Sequence, residues 1–193
     1  MKPARPAARH RYARHPDSRR LDDRDATFHA PCMEMNRMDA TKLLTEDHKK
    51  VRAALAELAK TSERDTDKRE ELLGEIALDL EVHTQIEEEI FYPAFRKASG
   101  DDENDKLYFE ALEEHRAVGD LVLPDLQNTP TSSEKFGGRA KVLKELVDHH
   151  ADEEEETMFK RARKLFSSDE LEKLGKQLAS RKEELIREHA EAE

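Results

Sequence analysis

The sequence predicts an all-α protein: an up-down-up-down four-helix bundle with an additional C-terminal helix and a disordered N-terminal tail. Three observations point there. Charged residues make up 41% of the chain and hydrophobic ones 36%, with no Trp, 6 Gly and 7 Pro, a balance that favours amphipathic helices over sheet. From Met38 onward apolar residues recur at three- and four-residue spacing almost without a break. The links between these stretches are short, as antiparallel neighbours in a bundle require. At 193 residues there is room for one core, or for one domain with a tail. The expected division is a tail over 1–37 and a bundle over 38–190, with a metal-binding core at 41–166 and a C-terminal helix at 168–188.

The first helix is predicted from about Asp39 to Lys60, where Leu44, His48, Val51, Leu55 and Leu58 share one face. Thr61, Ser62 and Asp65 mark a short turn. The second helix spans about Thr66 to Ala98, with Leu72, Leu73, Ile76, Leu80, Ile90 and Phe91 on its apolar face and Ser99 and Gly100 closing it. Pro93 is expected to bend or shorten its last turns. The third runs from about Asp101 to Leu126, acidic at its electropositive N-terminal end and tightened by Pro124 at the other. Asn128 to Gly138 reads as a loop, and a fourth helix follows from Glu134 or Arg139 to Phe166. Ser168, with Glu170 to Glu172, is expected to cap the fifth, which ends near Glu188.

Charge is divided unevenly. Residues 1–37 hold nine Lys or Arg against five Asp or Glu, a balance of +4, so the chain total of −11 leaves −15 on residues 38–193. A body that acidic repels a phosphate backbone, which argues against nucleic-acid binding. The tail is rich in Arg, Pro and Ala, lacks the apolar segment of a secretory signal and is expected to be disordered, either an appendage or an over-extended start. An organelle transit peptide is the alternative. The lone Cys32 excludes a disulfide framework and suits a reducing compartment. No stretch approaches the roughly 20 apolar residues of a membrane span. A soluble, cytoplasmic protein is the expectation.

One motif is written twice. HTQIEEEIFYP from His83 and HADEEEETMFK from His150 both read His-x-x-x-Glu-Glu-Glu before an apolar-aromatic pair, while His48 and His115 fall between hydrophobic residues of the first and third helices. Each residue of an α-helix advances about 100° round the axis. Relative to His150, Leu143 lies at about +20°, Leu146 at about −40°, Val147 and Leu165 at about +60° and Glu154 at about +40°. His150 and Glu154 therefore sit within the apolar stripe, whereas His149, at about −100°, and Glu155, at about 140°, face solvent or the flank. Relative to His83, Ile76 lies at about +20°, Leu80 at about +60°, Ile90 at about −20° and Glu87 at about +40°, with Glu88 and Glu89 pointing away. Only the first glutamate of each triplet is expected in the core.

A buried carboxylate without a partner costs several kcal/mol. Two inward glutamates, each one turn beyond an inward histidine, therefore point to metal. Glu–His hydrogen bonding without metal and misphased, surface-exposed pairs are the other readings, and His149, Glu153 and Glu155 replace the chosen ligands if the fourth helix is over- or under-wound. Four imidazoles and two carboxylates exceed a four-coordinate zinc site, and the lack of thiolate ligands disfavours soft metals. If Glu87 and Glu154 each bridge two ions, each ion receives two nitrogens and two oxygens, with positions left open. A pair of iron ions that bind or reduce dioxygen, peroxide or nitric oxide suits this set; di-manganese or mixed metals remain possible.

The series His48, His83-x-x-x-Glu87, His115, His150-x-x-x-Glu154, one contribution per helix, resembles the hemerythrin-like HHE cation-binding family. The resemblance covers about residues 41–166, and the FYP after the first motif is similar to the family's usual continuation. It implies a hemerythrin-like bundle with a non-haem di-iron centre held by these six side chains, Glu87 and Glu154 bridging. Oxygen-carrying hemerythrins have a second His one turn beyond the third-helix histidine and end with an Asp; here Gly119 and Glu154 stand there. The departure implies the bacterial-type branch associated with sensing, peroxide or nitric-oxide handling and iron homeostasis. Tyr108, two turns before His115 on the same face, reads first as a core aromatic, with an approach to the gap at Gly119 as its other role. The expected function is to bind or respond to dioxygen, peroxide or nitric oxide, with a separate protein partner if it signals. A catalase-like peroxide-decomposing enzyme and a metal-free structural or partner-binding bundle are the alternatives.

Overall fold

The computed structural model describes residues 38–192, and the tail expected to be disordered lies outside them. Five helices fill the described residues, with no strand among them. They are α1 (Ala40–Leu58), α2 (Thr66–Ile86, then a π turn Glu87–Phe91 and Tyr92–Ser99), α3 (Asp102–Arg116, then a π turn Ala117–Val122 and Leu123–Gln127), α4 (Glu134–Glu153, then a π turn Glu154–Met158 and Phe159–Leu165) and α5 (Ser168–Ala192).

Local chemistry sets the boundaries. Asp39, Asp101 and Ser133 each accept the backbone N–H three residues on, satisfying one of the open donors of a helix start. Before α5 the reciprocal pair is Ser167 and Glu170: the serine hydroxyl accepts Glu170 N–H and the glutamate accepts Ser167 N–H at 2.8 Å. The cap is thus Ser167 and not Ser168, which is the first helical residue. Gly100 ends α2 in the left-handed region, at φ 60°, where a side chain would be strained.

The up-down-up-down path follows from two hydrophobic clusters with the histidines between them. Going along the chain, α1 passes from Leu44 in one cluster through His48 to Val51 in the other. Along α2 the order reverses, from Leu80 through His83 to Ile86; α3 runs from Ala111 through His115 to Val118, and α4 from Val147 through His150 to Met158. The centre is a polar layer between two apolar ones. Helix α5 adds Leu178 and Leu185 to the cluster that holds Leu44, and packs on α1 and α2.

The π turns were not legible in the periodicity, and they change which residues face inward. Each adds about one residue to a turn, so everything beyond it falls back by about 100°. Phe91, Tyr92 and Phe95 are consequently fully buried, and Ile90, expected on the core face, is only half-buried. Leu165, the last residue of α4, is likewise exposed, being beyond the packed layer. Pro93 does not shorten α2: the wide turn before it bonds Tyr92 N–H to Glu87 O, and the helix continues to Ser99. Pro124 follows the α3 π turn in the same way, after a bond from Leu123 N–H to Val118 O.

Candidate metal centre

The structure brings all six expected side chains into one buried layer, none more than 7% exposed. His48 Nε2 lies 3.1 Å from His83 Nε2 and 3.1 Å from Glu154 Oε2, and His83 Nε2 lies 3.2 Å from Glu87 Oε2. Opposite them, His115 Nε2 is 3.1 Å from His150 Nε2 and 3.4 Å from Glu87 Oε2, and His150 Nε2 is 3.6 Å from Glu154 Oε2. Two overlapping sets result: His48, His83, Glu87 and Glu154 on one side, and Glu87, His115 and His150 on the other. Donors bound at about 2.1 Å to one cation stand roughly 3 Å apart, which is the spacing within each set.

The carboxylates test the fit to a cation. No hydrogen bond reaches Glu87 Oε1 or Glu154 Oε2, although both atoms are buried, and an orphaned buried carboxylate oxygen is costly. Burial and the charge of Glu154 push the Glu87 carboxyl well above its ordinary range. Burial pushes Glu154 up as well, but the His150 and His48 imidazoles outweigh it and hold Glu154 well below that range. A cation among these atoms satisfies both oxygens and removes the repulsion between the two acids.

The nitrogens facing away from the layer have partners of their own. His48 Nδ1–H donates to Glu155 at 3.0 Å, His115 Nδ1–H to Glu88 at 2.9 Å and His150 Nδ1–H to Glu114 at 2.7 Å. Such bonds fix tautomer and ring orientation and leave Nε2 as the free donor to a metal. His83 differs: its Nδ1 lies 3.8 Å from Asp47 Oδ2, too far for a hydrogen bond. Burial and neighbouring His48 bring the His83 pKa down to about 4, against the pull of Asp47. The two halves are built alike. An acidic residue before the lone histidine (Asp47-His48, Glu114-His115) faces the histidine of a neighbouring motif, and the second glutamate of each motif (Glu88, Glu155) serves a lone histidine. The expectation that Glu88 and Glu155 are merely solvated therefore fails, because the outer flank of one helix is the inner wall of the next.

Five residues past each core glutamate stands an aromatic ring, carried inward by the π turn. Phe159 stacks on His48, centroids 5.7 Å apart, and Tyr92 on His115 at 5.4 Å. The Tyr92 hydroxyl donates to Glu154 Oε1 at 2.9 Å and lies 3.2 Å from His115 Nε2. Burial and the charges of Glu154 and Glu87 push its pKa well up, so the phenol keeps its proton. Tyr92, not Tyr108, is the aromatic at the centre; Tyr108 packs edge-on to Tyr92 from behind, with Arg96 over its ring. Gly119 does not open a gap beside the histidines either. It is exposed, a Cβ there would meet nothing within 4 Å, and Val118 is the residue turned inward. On the Val118 side the histidines border a cavity of about 20 Å3 walled by Val51, Leu80, Val118 and Val147, room for one water-sized molecule.

Residues 39–162, which carry the whole of this layer, match the family described as the hemerythrin HHE cation binding domain. The chain belongs to that family. Its hemerythrin-like fold is shared with the crystal structure of a hemerythrin HHE cation binding domain-containing protein from Mycobacterium kansasii, 30% identical, with a TM-score of 0.66 over 76% of this chain and 86% of that one. An uncharacterized protein of Mycobacterium tuberculosis is 31% identical over 121 residues, 62% of this chain and 71% of its relative. A DNA nickase of Nostoc sp. is 32% identical over 139 residues, 72% of this chain. The chain spans only 37% of that nickase's length.

Within this hemerythrin domain, helix phase selects His150 over His149, whose side chain is 61% exposed and faces Glu114 and Glu153 at the surface. His150 faces inward because α4 is regular up to Glu153 and widens only afterwards. What the periodicity missed are Tyr92, Asp47, Glu114, Glu88 and Glu155. One signal was available: the acidic-His and His-x-x-x-Glu-Glu pieces recur in the same order in both halves of the chain.

Proposed function

We propose that this hemerythrin-domain protein holds two non-haem iron ions, through His48, His83, His115, His150 and the shared carboxylates of Glu87 and Glu154, and binds dioxygen, peroxide or nitric oxide there. The observation that carries the reading is the pair of His/Glu sets that overlap at Glu87, with a buried, orphaned oxygen on each of Glu87 and Glu154. Iron bound in these sets supplies open coordination positions and one-electron redox capacity. The protein supplies the rest. Three outward hydrogen bonds hold the imidazoles in the ligating tautomer, two apolar layers exclude bulk water, and a cavity with room for one water-sized molecule borders the histidines.

Peroxide decomposition is the second reading, and Tyr92 favours it. A buried phenol hydrogen-bonded to Glu154 places a transferable proton within the centre, at the general-acid position that the ligand set alone lacks. Manganese fits the same donor chemistry. A separate protein partner and a cytoplasmic setting belong to the sensing reading; among the described residues no helix is long and apolar enough to cross a membrane. DNA nicking does not transfer from the Nostoc relative on this reading, because most of that protein lies outside the alignment and the charge of −15 on residues 38–193, from the −11 total less the +4 of residues 1–37, repels phosphodiesters.

Metal analysis and an optical spectrum of the purified oxidised protein test the proposal. About two irons per chain with carboxylate-iron absorption are expected, and the pair Glu87→Ala and Glu154→Ala should leave a helical protein with under roughly a tenth of that iron, both bridging carboxylates being gone. Unchanged iron in the double variant refutes the site. Steady oxygen release from added peroxide selects the second reading; a reversible spectral change without turnover selects the first.

A further inference from the structure

Three of the four histidines have their outer nitrogen fixed by a direct hydrogen bond within the bundle, and the fourth does not. His83 Nδ1 and Asp47 Oδ2 face each other across 3.8 Å, both buried and both without a hydrogen-bond partner. In the other half Glu114 closes the same contact to His150 at 2.7 Å; Asp47 has one methylene less to reach with. What holds Asp47 in place comes from outside the four-helix core. Its other oxygen, Oδ1, accepts a charged hydrogen bond from Lys182 of α5, and no lysine or arginine is paired with Glu114 in the corresponding place among the described residues.

We propose that Lys182 is a positioning residue for the centre: by holding Asp47 beside His83, it makes the His48–His83 metal position depend on the docking of α5. The proposal rests on the two-metal reading above. A ligating imidazole binds well only when its far N–H is held by an acceptor, and losing that acceptor typically costs 10- to 100-fold in metal affinity. Asp47 is 9% exposed and near the edge of the layer, so without the ammonium its carboxylate turns toward water, out of reach of His83 Nδ1, which it now faces across 3.8 Å. The docking that places Lys182 is specific. Leu178 and Leu185 enter the core, Arg181 pairs with Glu89, the third glutamate of the first motif, at 2.8 Å, and Gly175 lies against the backbone of Met38 to Ala40. The His115–His150 position, with Glu88 and Glu114 as direct partners, has no such dependence.

Full-length wild type, Lys182→Met, Lys182→Arg and Asp47→Asn are titrated anaerobically with ferrous iron, and the thermal unfolding of each metal-free protein is followed by circular dichroism. In Lys182→Met and Asp47→Asn one iron should bind as in wild type and the second about tenfold or more weakly. Lys182→Arg should recover both, and the double variant Lys182→Met with Asp47→Asn should lose no more than either single one. Lys182→Met should melt metal-free within a few degrees of wild type. Two irons bound by Lys182→Met with wild-type affinities, or an equal weakening of both positions, overturns the proposal and leaves the two-metal centre standing. A wild-type chain that takes up no iron overturns the centre itself, and this proposal with it.

Discussion

Tyr92 and Phe159 occupy equivalent places on opposite sides of the centre, each five residues beyond a core glutamate and each stacked on the lone histidine of a neighbouring helix. A single oxygen distinguishes the two halves there. That hydroxyl lies nearer to Glu154, at 2.9 Å, than to the glutamate of its own motif, Glu87, at 3.4 Å, so it crosses the centre and binds the halves together. Tyr92→Phe should leave the iron content unchanged, because no metal-facing donor is removed from the six. It should cost about 1.5–3 kcal/mol in the metal-free protein, the range for a hydrogen bond to a charged group. If Tyr92 serves as the acid, peroxide turnover should fall by roughly 10²-fold or more. Full turnover in a variant with full iron sinks that role.

Gly119 offers a test of whether the open position belongs to the third helix. Its place in the sequence suggested a missing ligand, but the π turn that begins at Ala117 carries it to the surface. Gly119→His should therefore change neither iron content nor optical spectrum. Gly119→Ala should raise stability by about 0.5–1 kcal/mol, as for any exposed helical glycine with room for a methyl. A new iron–imidazole signature in the histidine variant would show that the turn is regular in solution.

Metal uptake should release protons, with a sign set by the metal-free centre. Burial pushes His48 and His150 down, but Glu154 outweighs it for both, with Glu155 adding at His48 and Glu114 at His150, and their pKa values end above the ordinary imidazole value. Burial and Glu154 likewise raise Glu87. All three must lose their protons to bind a cation, so affinity should climb as pH rises from about 6.5, the ordinary histidine value, through the raised ones. His83, at about 4, is already proton-free there and adds nothing to the slope. Titrations between about pH 6 and 8 with a pH indicator check this, and an affinity that is flat or falls across that window contradicts it.

How far periodicity reads this chain depends on what breaks it. From Leu143 to Glu153 the fourth helix is regular, so a constant advance per residue puts His150 and Glu154 inward correctly. Past Glu87 and Glu154 the same arithmetic misplaces Ile90 and overlooks Tyr92, because nothing in residue type announces a wider turn. The outer carboxylates were invisible for another reason. A single-helix count treats everything off the apolar stripe as solvent, whereas Glu88, Glu114 and Glu155 sit on flanks that neighbouring helices cover. Pairing between helices has to be known first.

Two glycines of similar appearance in the sequence should respond oppositely to the same substitution, and the difference measures how tightly α5 is seated. A Cβ on Gly74 meets nothing within 4 Å, so Gly74→Ala should stabilise the protein by about 0.5–1 kcal/mol through the lost freedom of the unfolded chain. A Cβ on Gly175 would stand 2.6 Å from Met38 O and 2.9 Å from both Ala40 N and Asp39 C. All three are backbone atoms, which cannot swing aside as a side chain can, and they belong to the start of α1, where Asp39 caps the helix. Gly175→Ala must therefore either lift α5 or disturb that cap, at about 1–3 kcal/mol. Urea unfolding of the metal-free proteins measures both changes. If Gly175→Ala proves as stabilising as Gly74→Ala, α5 is not held against α1 as the structure has it, and the contact between Lys182 and Asp47 loses its support.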